Sequence, residues 1–75
     1  MAKEFTLHRN QCGDGEFTSS NHSGMLQQII KLLGFQVRTK QNEAYGIKWE
    51  SLLVDCKDVC LLCDKLTLLG WRYLD

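Results

Sequence analysis

The sequence predicts an α+β fold in which two helices cover one face of a four-stranded antiparallel sheet, in the order β-α-β-β-α-β. Three observations predict it. Residues 25–33 and 56–69 carry apolar side chains at helical spacing, and each run stops at a glycine, Gly34 or Gly70. Residues 5–9, 35–40 and 45–50 instead alternate apolar and polar side chains with the period of a half-buried strand. Finally, Leu32-Leu33-Gly34-Phe35 is echoed by Leu68-Leu69-Gly70-Trp71, so both helices are expected to run into a strand in the same way.

Taken in order, Phe5-Thr6-Leu7-His8-Arg9 reads as a first strand with Phe5 and Leu7 inward. Residues 10–24 are rich in glycine, serine, asparagine and aspartate, which predicts a long loop with room for a short hairpin around Gly13-Asp14-Gly15. In the following helix, Met25, Leu26, Ile29, Ile30, Leu32 and Leu33 share one broad face; Ser20, Asn21 or Ser23 caps its start. Residues 35–40 form the second strand with Phe35, Val37 and Thr39 toward the core. Residues 41–44 then make a turn, and residues 45–54 form the third strand with Tyr45, Ile47 and Trp49 inward. Asp55 caps the second helix and Asp58 sits in its first turn, where a negative charge suits the helix dipole. Residues 71–74 are the last strand.

This is the ferredoxin-like, or split βαβ, arrangement. If residues 5–9 were not a strand, the rival would be a three-stranded sheet like that of double-stranded-RNA-binding domains. The far sheet face is expected to be open, displaying Thr6, His8, Gln36, Arg38, Lys40, Lys48, Glu50 and Arg72.

The bulk composition narrows the function classes. With 75 residues the chain reads as a single domain over 1–75, near the size at which one core only just offsets chain entropy. It is 44% hydrophobic and 24% charged with no proline, a globular profile. Nine basic and nine acidic residues cancel, which disfavours a strongly electrostatic, non-specific binder of nucleic acid or membrane. The segment Met1-Ala2-Lys3-Glu4-Phe5 lacks the apolar region of a signal peptide, and no stretch has the length of a membrane span. A reducing, cytoplasmic setting is therefore expected, with the cysteines as thiols rather than a disulfide framework.

Cys56, Cys60 and Cys63 have the CxxxCxxC spacing that holds a [4Fe–4S] cluster in radical enzymes using S-adenosylmethionine. There the cysteines lie on a loop inside a barrel-sized domain, whereas here they follow a helical pattern in a short chain. A zinc site would add Cys12, His8 or His22 as a fourth ligand. Three ligands on consecutive helix turns, however, span about 10 Å of axis, too far for one tetrahedral ion. The expected role of these cysteines is to fill the border of the core, with no metal or cofactor bound; a metal-binding protein built on the cluster is kept as the third functional reading. No phosphate-binding glycine motif occurs, and neither His8 nor His22 has a spaced nucleophile partner, so the chain is not expected to be an enzyme.

On the second helix Val59, Leu62, Cys63, Leu66 and Leu69 form the core arc, while Leu61 and Leu68 project toward the solvated side with Lys57 and Asp64. Two leucines on that side point to a protein partner, the chain itself being the natural candidate. The second reading is an RNA-binding module using the basic open face, with Arg38, Lys40, Lys48 and Arg72 as its contacts. Against it, Phe35, Tyr45, Trp49, Trp71 and Tyr73 all read inward, so none lies on this face for base stacking.

Leu62-Cys63-Asp64-Lys65-Leu66 followed by Gly70-Trp71 resembles the GTP cyclohydrolase feedback regulatory protein and related small oligomeric regulatory modules, and the likeness extends back toward residues 45–54. In that family a helix with a Leu-Asp-Lys-Leu core precedes glycine, an aromatic residue and a strand. The resemblance implies a symmetric, ring-forming regulator that docks on a metabolic enzyme; no site residues carry over from it. The leading expectation is a small interaction or regulatory module acting through self-association or docking, with Leu61, Leu68, Arg38, Lys40, Lys48 and Arg72 at its contact surfaces.

Overall fold

The alternating and helical periods of the sequence produce five strands and two helices in the structure, a computed structural model that describes residues 3–19 and 22–74. In chain order these are β1 (Lys3–Arg9), β2 (Gly15–Thr18), α1 (Ser23–Leu32), β3 (Arg38–Ala44), β4 (Ile47–Val54), a 3-10 turn over Cys56–Asp58, α2 (Val59–Leu68) and β5 (Trp71–Leu74). The fold is α+β. The expected four-stranded antiparallel sheet is corrected to a five-stranded mixed sheet of order β3-β4-β2-β1-β5, with β5 parallel to β1.

The additional strand is β2, which lies inside the stretch predicted as a loop. It pairs antiparallel with β1 on one side, Leu7 opposite Phe17, and with β4 on the other, Phe17 opposite Leu52. The turn between β1 and β2 is organised by Asn10, whose Oδ1 accepts hydrogen bonds from the backbone N–H groups of Cys12 and Asp14 at 2.9 and 3.0 Å. Side chain-to-backbone bonding of this kind lets asparagine replace a strand ladder with a turn. From β2 onward the elements follow the predicted β-α-β-β-α-β order, and β1 is inserted between β2 and β5.

The β3–β4 hairpin also differs from expectation. Residues 35–37 are not strand, residues 41–44 are, and the reversal falls at Tyr45-Gly46, with Ala44 opposite Ile47. Both turn residues have positive φ, 53° and 76°, the conformation that matches the twist of a two-residue hairpin. With this register Leu52 and Val54 face the helices and are buried, which places Ile47, Trp49, Ser51 and Leu53 on the opposite face. Tyr45, Ile47 and Trp49 are therefore not inward: they are 102%, 65% and 40% exposed, at a hairpin tip that overhangs the end of β2. Thr39, Lys48 and Glu50 take the helix-side parity and are exposed.

One core holds the two layers together. Phe5, Phe17, Leu52 and Val54 from the sheet meet Leu26 and Ile30 of α1 and Val59, Leu62 and Leu66 of α2, with Trp71 closing one end. Phe5 and Phe17 stack with centroids 5.8 Å apart. Gly15 lets α2 approach β2 closely: a Cβ there would lie 2.8 Å from Val59 Cγ2.

Both helices end as predicted. Gly34 and Gly70 have φ of 91° and 92°, and their N–H groups bond back to Lys31 O and Thr67 O. Their starts differ from expectation. Ser20 and Asn21 lie outside the described residues, Ser23 is already helical, and the residue at the α1 N-cap is His22, without a side-chain capping bond. Asp55 precedes the 3-10 turn without capping it and instead meets Arg38 at 3.9 Å. No described helix is long and apolar enough to cross a membrane.

Candidate functional sites on the two faces

Strand register dictates what the open face displays. One row across the sheet is made of small side chains: Ser51 lies opposite Lys40, Thr18 contacts Ser51 at 3.4 Å between hydroxyls, and Thr6 lies opposite Thr18. The flanking rows are larger, with Trp49 opposite Asn42 on one side and His8 opposite Glu16 on the other. A low row between taller ones leaves a hollow of about 410 Å³, lined by residues of β1, β2, β3 and β4. That volume falls within the range of small-molecule sites.

The floor of the hollow is polar and ordered. Asn42 Nδ2 donates to Ser51 Oγ at 2.7 Å, and Lys40 Nζ donates to Glu16 Oε2 at 3.5 Å. Ser51 and Glu16 are both buried, at 3% and 8% exposure. A carboxylate this far from water needs partners, and Lys40 is the one side-chain partner Glu16 has among the described residues. Glu16 lines the hollow, and its bond from Lys40 reaches Oε2 alone.

Of the basic residues expected on this face, Arg38, Lys40 and Arg72 lie there by register and Lys48 does not; it occupies the other parity of β4. Arg38 is partly neutralised by Asp55 and Lys40 by Glu16, so the face is polar rather than strongly basic. The sequence reading missed Trp49 and Glu16. Trp49 is expected inward from its alternation with Tyr45 and Ile47, and Glu16 falls in the stretch expected to be loop.

The helix layer exposes the second surface. Leu61 and Leu68 project outward as expected, 52% and 86% exposed, but Leu69 leaves the predicted core arc and is 54% exposed. The sequence echo between the helices is also structural: Leu26 and Ile30 are buried as their counterparts Leu62 and Leu66 are, and Met25 and Leu32 are exposed at 44% and 85% like Leu61 and Leu68. The flank of α2 bearing Cys63 and Thr67 lines a groove with Phe5 of β1 and Tyr73 of β5. Leu61 and Leu68 lie away from that groove, on the solvent side of α2. His22 at the start of α1 packs edge-to-face on Trp71 just beyond the end of α2. The helices thus run antiparallel, and Met25, Leu32, Leu61 and Leu68 are exposed on the helix layer.

The cysteines do not assemble a metal centre. Cys56 belongs to the 3-10 turn, off the helical stripe of Cys60 and Cys63, and no group of three potential ligands occurs among the described residues. All four cysteines are free thiols. Cys60 receives a long contact from Arg9 Nη2 at 3.8 Å, while burial, with Cys60 and Asp64 nearby, pushes the Cys63 thiol above its ordinary range against a lowering influence of Arg9.

Compared with known protein families, with curated proteins and with solved structures, the chain matches none.

Proposed function

We propose that this chain is a protein-interaction module that self-associates through the exposed leucines of its helix layer. The observation that carries the reading is the pair Leu32 and Leu68, each about 85% exposed at matching positions of two antiparallel helices. Met25, Leu61 and Leu69 add further exposed apolar side chains on the same layer, more than a solvated helix face needs. A second copy is the favoured occupant because an isologous contact brings the same surface of both copies together, so the leucines of one cover those of the other. The whole surface, 5270 Å², also exceeds the roughly 4,700 Å² that a compact monomer of this mass presents.

A regulatory role in the cytoplasm, with the assembled module docking on a metabolic enzyme, is the part of the proposal supported by the resemblance at residues 62–66 and 70–71. Sedimentation velocity across a micromolar concentration series tests the self-association. The parent is expected to sediment as a dimer or larger species, and Leu61→Lys with Leu68→Lys as a folded monomer. A parent that stays monomeric throughout the series would remove the basis for the reading.

A further inference from the structure

The open sheet face lies away from the exposed leucines of the helix layer. We infer that the hollow over Ser51 and Thr18 binds an unpaired purine base with a donor-bearing edge, guanine, carried by a mononucleotide. Three features of the hollow select that class.

The first is the acceptor. Glu16 is 8% exposed, has one long contact from Lys40 to Oε2 and lines the hollow. A carboxylate offers two acceptor oxygens in one plane, and the N1–H and N2–H of guanine are two parallel donors at the matching separation. Adenine and uracil do not present two adjacent donors on that edge.

The second feature is the platform. Trp49, 40% exposed, stands at the wall of the same hollow on the overhanging hairpin. An aromatic face beside a polar floor is what single-stranded RNA readers use to hold an unstacked base, and stacking of this kind tolerates every base. Between platform and acceptor the row of Ser51, Thr18 and Thr6 is low enough to admit a planar ring.

The third is charge. A guanidinium would also stack on Trp49 and bind Glu16 in a bidentate manner, but Lys40 already sits at 3.5 Å from that carboxylate and repels a second cation. A neutral base edge escapes that repulsion, and the phosphate attached to it gains from Lys40 and Arg38 on the same face. The ligand that fits both groups is a neutral donor edge joined to an anion.

Tryptophan fluorescence tests the assignment. Trp71 is buried under the helices, so quenching on ligand addition reports Trp49. Guanosine monophosphate is titrated against the adenosine, cytidine and uridine monophosphates at low salt, with L-arginine as competitor. Guanosine monophosphate is expected to quench and to bind about tenfold more tightly than the adenosine nucleotide, the discrimination of one bidentate contact. Glu16→Gln is expected to abolish that preference, and Trp49→Leu to weaken all binding at least tenfold. Should Glu16→Gln lose its folded circular dichroism, Trp49→Leu and the nucleotide comparison carry the test. Absence of quenching at millimolar nucleotide, equal affinity for the four bases, or displacement by arginine as effective as by guanosine monophosphate would each overturn the assignment. Sedimentation of the unliganded protein is unaffected by any of these outcomes, so this site and self-association through the helix layer fail or stand separately.

Discussion

Substituting alanine at two glycines should change stability in opposite directions, although the sequence around both reads as loop. At Gly15 an added Cβ meets Val59 Cγ2 at 2.8 Å, Leu7 Cδ1 at 3.0 Å and Phe17 Cε1 at 3.1 Å. Val59 is buried, 1% exposed, and β-branched, so its methyl has no free rotamer to turn into; Phe17 is fully buried and fixed by Phe5. Only Leu7 has room to shift. Relief therefore requires α2 to move off β2, and overpacking of this kind costs about 1–3 kcal/mol. For a domain this small that corresponds to a fall in Tm of roughly 5–20 °C. At Gly24 no atom lies within 4 Å of the added Cβ, and the residue is in α1. Alanine there should stabilise by about 0.4–1 kcal/mol by restricting the unfolded chain. Urea denaturation of both variants, at one protein concentration and with unchanged m-value, gives the two free energies. Gly15→Ala matching or exceeding the parent in stability would refute the close approach of α2 to β2, and with it the placement of residues 15–18 inside the sheet.

Tyr45 holds φ of 53° at the hairpin turn, a conformation that costs a residue with a Cβ about 1–2 kcal/mol and that asparagine tolerates better. Tyr45→Asn should raise stability by up to about 1 kcal/mol in the same urea assay, and a loss would argue against the Tyr45-Gly46 turn. Cys63 should be alkylated by iodoacetamide more slowly at pH 8 than the exposed Cys56 and Cys60, as read by peptide mass spectrometry, because it is partly buried and its thiol is harder to ionise. Below the ordinary thiol range Cys63 is protonated both folded and unfolded and has no effect on stability. As pH rises above that range the unfolded chain ionises first, so stability falls until the raised folded value is passed. Cys63→Ser should flatten that alkaline slope in urea melts collected from pH 7 to 10, and an unchanged slope would count against the assigned cause.

The sequence by itself determined the two helices, their stops and the α+β class, because those rest on local physics. A 3.6-residue apolar period and a left-handed glycine state their meaning within a few residues, and Gly34 and Gly70 end their helices as read. The exposed leucines followed from the same period, since Leu61 and Leu68 are displaced from the core arc wherever that helix is packed. Long-range pairing decided the rest. Gly15-Glu16-Phe17-Thr18 has a single large apolar side chain and reads as loop in isolation; it is a strand because β1 and β4 flank it and α2 closes over its glycine. Residues 45–54 carry apolar side chains on both parities, Ile47 and Trp49 on one, Leu52 and Val54 on the other, so alternation alone cannot choose a face. The pairing of Leu52 with Phe17 made the choice. That choice buried Leu52 and Val54, turned Trp49 to the open face, and left Glu16 lining the hollow beside it.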